Sequence, residues 1–191
     1  GERLTSTPDE VEHSVTPLPD GRVAVIGTGR EGTRLLIVER AVRVVALPVA
    51  VELLSLAALA DGRLAVWARA PDRDTYSLLV VDPQTGATSS LVGDAYLPPG
   101  IAPRPAVSLR SGWIYFVRSE PGRGNPIVRI KPDGRSETLT LGTRGHQEVA
   151  ASAYPGADGQ WVDWLAVVAV GDRSGDDVTN HLYVGPAPDA P

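Results

Sequence analysis

The stretch Leu59 to Val92, LADGRLAVWARAPDRDTYSLLVVDPQTGATSSLV, sets the pattern that the rest of the chain repeats. It opens on a turn, Asp61-Gly62, followed by an apolar run from Leu64 to Ala68 and a polar loop from Pro71 to Thr75. A second apolar run, Leu78 to Asp82, leads through a tight turn, Pro83 to Gly86, into a more polar run, Thr88 to Val92. Short runs of Val, Leu and Trp between clusters of Gly, Pro and Asp are the signature of antiparallel strands. Tyr76 and the run Leu78–Val81 have neither a helix cap nor helical spacing, so the stretch predicts a small meander.

The pattern recurs. Val23-Ala24-Val25-Ile26 follows Asp20-Gly21, and Ile114-Tyr115-Phe116-Val117 follows Ser111-Gly112. In the last copy Asp158-Gly159 precedes Leu165-Ala166-Val167-Val168 after a short insertion. Val23, Leu64, Ile114 and Leu165 lie 41, 50 and 51 residues apart in turn. Second strands are predicted at Leu35 to Val38, Leu78 to Val81, Ile127 to Ile130 and Leu182 to Val184. Third strands follow at Arg43 to Leu47, Thr88 to Val92 and Glu137 to Leu141. A further strand precedes each turn, at Ser14 to Leu18, Leu53 to Leu59, Pro105 to Leu109 and Val149 to Tyr154, although the leucine spacing of VELLSLAALA (51–60) also suits a short helix. Four strands per unit of this length is the period of a β-propeller blade.

At the level of these repeats the chain resembles the β-propeller superfamily, with a look of Tol-system and WD-repeat blades. The residues that carry the resemblance are the Asp-Gly turns before apolar strands and Val-Val-Asp-Pro-Gln-Thr-Gly at Val80 to Gly86. The paired glycine-histidine and tryptophan-aspartate signature that recurs in WD repeats is absent. The expected fold is therefore all-β: a propeller of four four-stranded blades at about 14–47, 53–92, 105–141 and 149–184. The fourth unit lacks its last strand, and Glu2 to Ser6 is expected to complete it, as termini do in propellers that close. Residues 185–191, GPAPDAP, read as a tail or linker. A segment of a larger propeller and a two-sheet β-sandwich are the alternatives.

Composition agrees with such a fold. The 191 residues are 42% hydrophobic but only 5% aromatic, so the core is mostly Val, Leu and Ala, and Gly 20 with Pro 17 suits many turns. The net charge of −5 argues against a nucleic-acid partner, and no apolar run is long enough to span a membrane as a helix. With no Cys, disulfides, thiol catalysis and thiolate metal sites are excluded. Met is also absent, which leads us to expect a segment excised from a longer bacterial, extracytoplasmic protein.

Loops between the strand that follows each glycine turn and the next, second strand share one end of the blades with the connections between blades. These include Gly27 to Thr33, Ala70 to Thr75, Ser119 to Asn125 (with Arg123) and Gly171 to Asn180. Binding residues concentrate on such loops. The connection Gly93 to Pro103 is the longest and places Tyr96, Leu97 and Ile101 outside any strand, where they either pack on the blades or meet a ligand. His13 and His146, with Glu10, Glu12 and Glu148 nearby, form a candidate divalent-metal site, although no HxH or HxxxH spacing supports it. Asp172 to Asp177 resembles the start of a calcium loop, with Asp172 and Asp176 as ligands, but lacks the closing Glu; a plain acidic hairpin loop is the favoured reading. The four Trp residues are expected to pack between blades. Gly27 to Gly32 spells GxGxxG, yet a strand follows where a Rossmann fingerprint needs a helix.

The leading expectation is a non-enzymatic binding module that presents its long-loop rim to a protein, peptide or glycan, needing no cofactor. The alternatives are a metal-assisted hydrolase or lyase using His13 and His146, and a structural segment of a larger propeller.

Overall fold

The computed structural model describes residues 11–98, 103–120, 125–139, 145–155, 159–174 and 177–188. Within them every regular element is a strand. The chain divides into two compact units, Gly1–Asp94 with Ala102–Pro105 and Ala95–Ile101 with Ala106–Pro191.

The first unit holds two antiparallel meanders. One runs β1 (Val11–Pro17), β2 (Val23–Gly29), β3 (Gly32–Val38), β4 (Val42–Val45); the other β5 (Glu52–Ala58), β6 (Leu64–Arg69), β7 (Tyr76–Val81), β8 (Thr88–Ala95). Leu64 to Ala68 is buried at every position. A continuous apolar run of this kind marks a strand covered on both faces, where alternation would mark one covered face. Ile26, Leu35 and Ile37 of the first sheet meet Leu53, Leu64 and Val66 of the second in one core.

Two polar contacts also join these sheets. A bulge between His13 and Val15 puts Ser14 at φ 52°, and its Oγ accepts the Leu56 N–H at 2.9 Å. The Thr33 hydroxyl accepts the Leu53 N–H at 2.6 Å beside a matching bulge between Leu53 and Ser55. Bulges bend a strand and free a backbone donor, and here side-chain oxygens from the neighbouring sheet take those donors up.

The second unit holds β9 (Ala106–Val107), β10 (Ile114–Val117), β11 (Ile127–Ile130) and β12 (Ser136–Leu139) in one sheet. A three-stranded sheet follows: β13 (His146–Pro155), β14 (Trp161–Ser174) and β15 (Asp177–Pro186). Trp113, Tyr115, Val117, Ile127 and Leu139 pack with Leu165 and Val167 between them.

The strands stand close to where the sequence predicts them, and 52–58 is strand, not helix. The differences lie at the ends. The expected loop Gly27 to Thr33 shrinks to a two-residue turn, because β2 and β3 stay paired out to Gly29 and Gly32, the latter at φ 102°. Half of Gly171 to Asn180 is paired between β14 and β15: Arg173 with Val178, Ser174 with Asp177, and Asn180 with Val170. The tail begins later than expected: Gly185 and Pro186 pair with Leu165 and Trp164, and the Ala187 N–H donates to the Asp163 carbonyl at 2.7 Å. Among the described residues β15 borders its sheet, and at its end the missing N–H of Pro186 goes unneeded. The expected closing strand, Glu2 to Ser6, lies outside the described residues.

Gly86 shows how closely the first unit is packed. It sits at φ 76°, and a Cβ there would lie 2.1 Å from the Ala46 carbonyl oxygen, whereas one on Gly62, at φ 84°, would meet nothing. In urea unfolding we expect Gly62→Ala to cost about 1 kcal/mol, the backbone penalty alone. Gly86→Ala should cost at least about 2 kcal/mol more for displacing the backbone of 45–46; equal losses would show that this contact relaxes freely.

Candidate functional site

The long-loop end of the second unit gathers three of the predicted residues. Tyr96 follows directly on β8, and its carbonyl accepts the Ser119 N–H at 2.8 Å. Tyr96 is 58% exposed, while Leu97 is half-buried and Pro98 buried. Alongside, Arg118 N–H donates to the Pro126 carbonyl at 3.0 Å and closes the ends of β10 and β11. Next to Pro126, Asn125 clasps His146: its Nδ2 donates to the His146 carbonyl at 3.0 Å, and its own carbonyl lies 3.2 Å from the His146 N–H.

The same Asn125 carbonyl lies 2.7 Å from Nδ1 of His146. A carbonyl only accepts, so Nδ1 carries the proton, and in the neutral ring Nε2 keeps its lone pair. His146 is only 4% exposed and lines a pocket of about 190 Å³ with Leu165, Val167, Tyr183, Val184 and Pro186. The lining is mostly apolar, with His146 and Tyr183 as its side chains that carry polar atoms, and its size suits a single side chain or a small molecule.

The other predicted residues are placed as follows. His13 belongs to the first unit, with Nε2 2.9 Å from the Thr28 hydroxyl. Ile101, Arg123, Asp176 and the side chain of Asp172 lie outside the described residues. Among the described residues no group of three or more His, Asp or Glu is placed to hold a metal.

Two anchors went unforeseen. Asp94, at φ 50° near the end of β8, takes the Thr75 hydroxyl at 3.0 Å and Arg73 at 2.8 Å on one oxygen. These two partners hold its carboxyl below the usual carboxylate range, the hydroxyl contributing most. The second is Asp163 of β14. Its Oδ1 accepts the Ser108 hydroxyl at 2.6 Å, and its Oδ2 accepts Ser111 at 2.5 Å and Tyr115 at 2.6 Å. Three hydroxyls donate to the carboxylate, which pins the turn 108–113 to the last sheet. The signal was a lone acid inside WVDWLAVV.

Burial, and then the Asp163 carboxylate that it faces, push the Tyr115 phenol above its ordinary value of 10.0. The fully buried phenol keeps its proton when the unfolded chain has already released it. Stability is therefore intact below about pH 10 and falls as pH rises beyond it. We expect Tyr115→Phe to remove this alkaline loss and to cost about 1–2 kcal/mol at neutral pH for the missing hydrogen bond. Asp163→Ala should cost about 3 kcal/mol by leaving buried hydroxyls unpaired. Urea unfolding at neutral and alkaline pH checks both; a Tyr115→Phe variant with the parent's alkaline slope would count against the assignment.

Comparison with known proteins places this geometry in a fold. No protein-family model and no curated protein sequence matches the chain. Solved structures do. A protein described as TolB from Agrobacterium tumefaciens superposes with a TM-score of 0.62 at 17% identity, over 97% of this chain and 68% of that one. TolB from Acinetobacter baumannii gives 0.63 at 16% identity, over 97% of this chain and 45% of its own. Puromycin hydrolase gives 0.61 at 20% identity, over 93% of this chain and 28% of its own. The chain thus spans under half of the latter two proteins. Its four antiparallel meanders, matched across nearly their whole length, have the β-propeller fold.

Proposed function

We propose that this chain is a non-enzymatic recognition domain of an extracytoplasmic bacterial protein, one that binds an extended protein or peptide segment at the long-loop end of its second unit. The observation that carries the reading is Tyr96: a residue 58% exposed on a backbone pinned by the Ser119 N–H. An exposed aromatic on a preordered backbone costs little conformational entropy on binding, which is the usual basis of a contact hot spot. Leu97 adds apolar surface, and the mostly apolar pocket at His146 is sized for one anchoring side chain.

A second reading, a metal-assisted hydrolase or lyase, rests on the same histidine. An imidazole whose Nδ1–H is held by a carbonyl presents Nε2 in the form that metals bind. Metal content of protein purified without a histidine tag separates the two readings.

The recognition reading is tested by selecting binders from a random peptide library on the parent protein. The selected peptides should lose at least ~10-fold affinity for a Tyr96→Ala, Leu97→Ser variant whose unfolding temperature stays within a few degrees of the parent. Undiminished binding would refute the site. A large loss of stability would make the segment a packing element.

A further inference from the structure

The chain contains three Asp-Gly-Arg turns: Asp20-Gly21-Arg22, Asp61-Gly62-Arg63 and Asp133-Gly134-Arg135. In each, the aspartate accepts the arginine's backbone N–H, at 3.1, 3.0 and 2.9 Å, around a glycine of positive φ. In the first two the guanidinium also folds back onto its own aspartate, at 2.6 and 2.7 Å. In the third the guanidinium goes elsewhere: Cζ of Arg135 lies 4.9 Å from the centre of the Trp113 ring.

Two more cations share that ring. Nζ of Lys131, the only lysine in the chain, lies 5.0 Å from its centre and Cζ of Arg129 4.6 Å. Arg129 is neutralised by Glu137 at 2.6 Å. Among the described residues neither Lys131 nor Arg135 has a carboxylate within ion-pair distance.

The register explains the cluster. Ile114 pairs with Ile130, and Ile130 with Ser136, so the next row across the strands sets Trp113, Lys131 and Arg135 side by side. The Lys131 N–H donates to the Arg135 carbonyl at 2.8 Å and locks that row. Like charges directly opposite one another repel, and the indole face offsets this only in part. An oxyanion between the two would remove the repulsion.

A further cation stands on the turn that Trp113 closes, where the Ser108 N–H donates to the Trp113 carbonyl at 2.9 Å. Cζ of Arg110 lies 5.2 Å from the ring of Trp161, which is 51% exposed. Ser111 in the same turn is tied to Asp163, two residues after Trp161, so both turns sit at one end of the second unit.

We infer that Lys131, Arg135 and Arg110 form a docking surface for an acidic segment of a partner protein. Its carboxylates bridge Lys131 and Arg135 and meet Arg110, and an apolar side chain lies on Trp161. Discrete carboxylates fit better than a continuous phosphate backbone. Asp133 and Glu137 stand among the cations, and the chain as a whole carries a net charge of −5. The surface lies at the tight-turn end of the blades and is independent of the Tyr96 site.

The test is fluorescence anisotropy with a short labelled peptide of glutamates and leucines, run against the whole chain. Its glutamine counterpart should bind at least ~10-fold more weakly, and raising the salt should weaken the glutamate peptide by a similar factor. Arg135→Gln alone, at an exposed turn, and Lys131→Gln with Arg135→Gln should each lose ~10-fold or more with the unfolding temperature unchanged. Equal binding of the peptide to parent and variants overturns the proposal. So does displacement of the peptide by a short oligothymidylate at equal charge, which would mark a general polyanion surface, or by millimolar inorganic phosphate, which would mark a simple anion site.

Discussion

The structure depends on strands that are apolar on both sides. In β6, Leu64, Val66 and Ala68 enter the core shared with the first sheet, while Ala65 and Trp67, on the opposite face, are equally inaccessible to water. Burying an indole removes about 200 Å² from solvent, on the order of 5 kcal/mol as an upper estimate. A sheet built from such strands cannot rest with one face in water. It needs a sheet on either side, and repetition of one meander is the simplest way to supply them.

That constraint divides the labour between the two ends of each sheet. At the tight-turn end, glycines at positive φ and Asx-type hydrogen bonds hold the chain within two or three residues, so side chains there are placed accurately. Identical turns then acquire different chemistry from their surroundings. Arg22 and Arg63 close on their own aspartates, and Arg135 is drawn instead to an indole that the register sets beside it. At the other end, the bulges in β1, β5 and β13 begin at His13, Leu53 and His146, near the start of each strand. These positions release backbone groups that partners such as the Ser14 and Thr33 side chains take up.

Polar chemistry in the second unit is concentrated at two residues. Asp163 receives three hydroxyl donors and holds a turn in place. His146 has one nitrogen committed to a backbone carbonyl, in a pocket that is mostly apolar.

The sequence by itself determined the repeat, the strands and the turns. An apolar run between an Asp-Gly pair and a polar loop is a local pattern, and glycine's freedom at positive φ acts over two residues. Leu64 to Ala68 and Ile114 to Val117 were therefore legible without coordinates. Strand ends were less so: Gly27 to Thr33 and Gly171 to Asn180 read as loops because Gly and Asp favour turns, while cross-strand pairing carried the ladders through them. Only the tertiary structure decided what meets what at the sites. Ser108, Ser111 and Tyr115 converge on Asp163 from 48 to 55 residues away. The Asn125 carbonyl chooses the tautomer of His146 across 21 residues, and the indole of Trp113 takes Arg135 from its own aspartate. Contacts of that kind depend on register and packing between strands distant in the chain, and no local pattern encodes them.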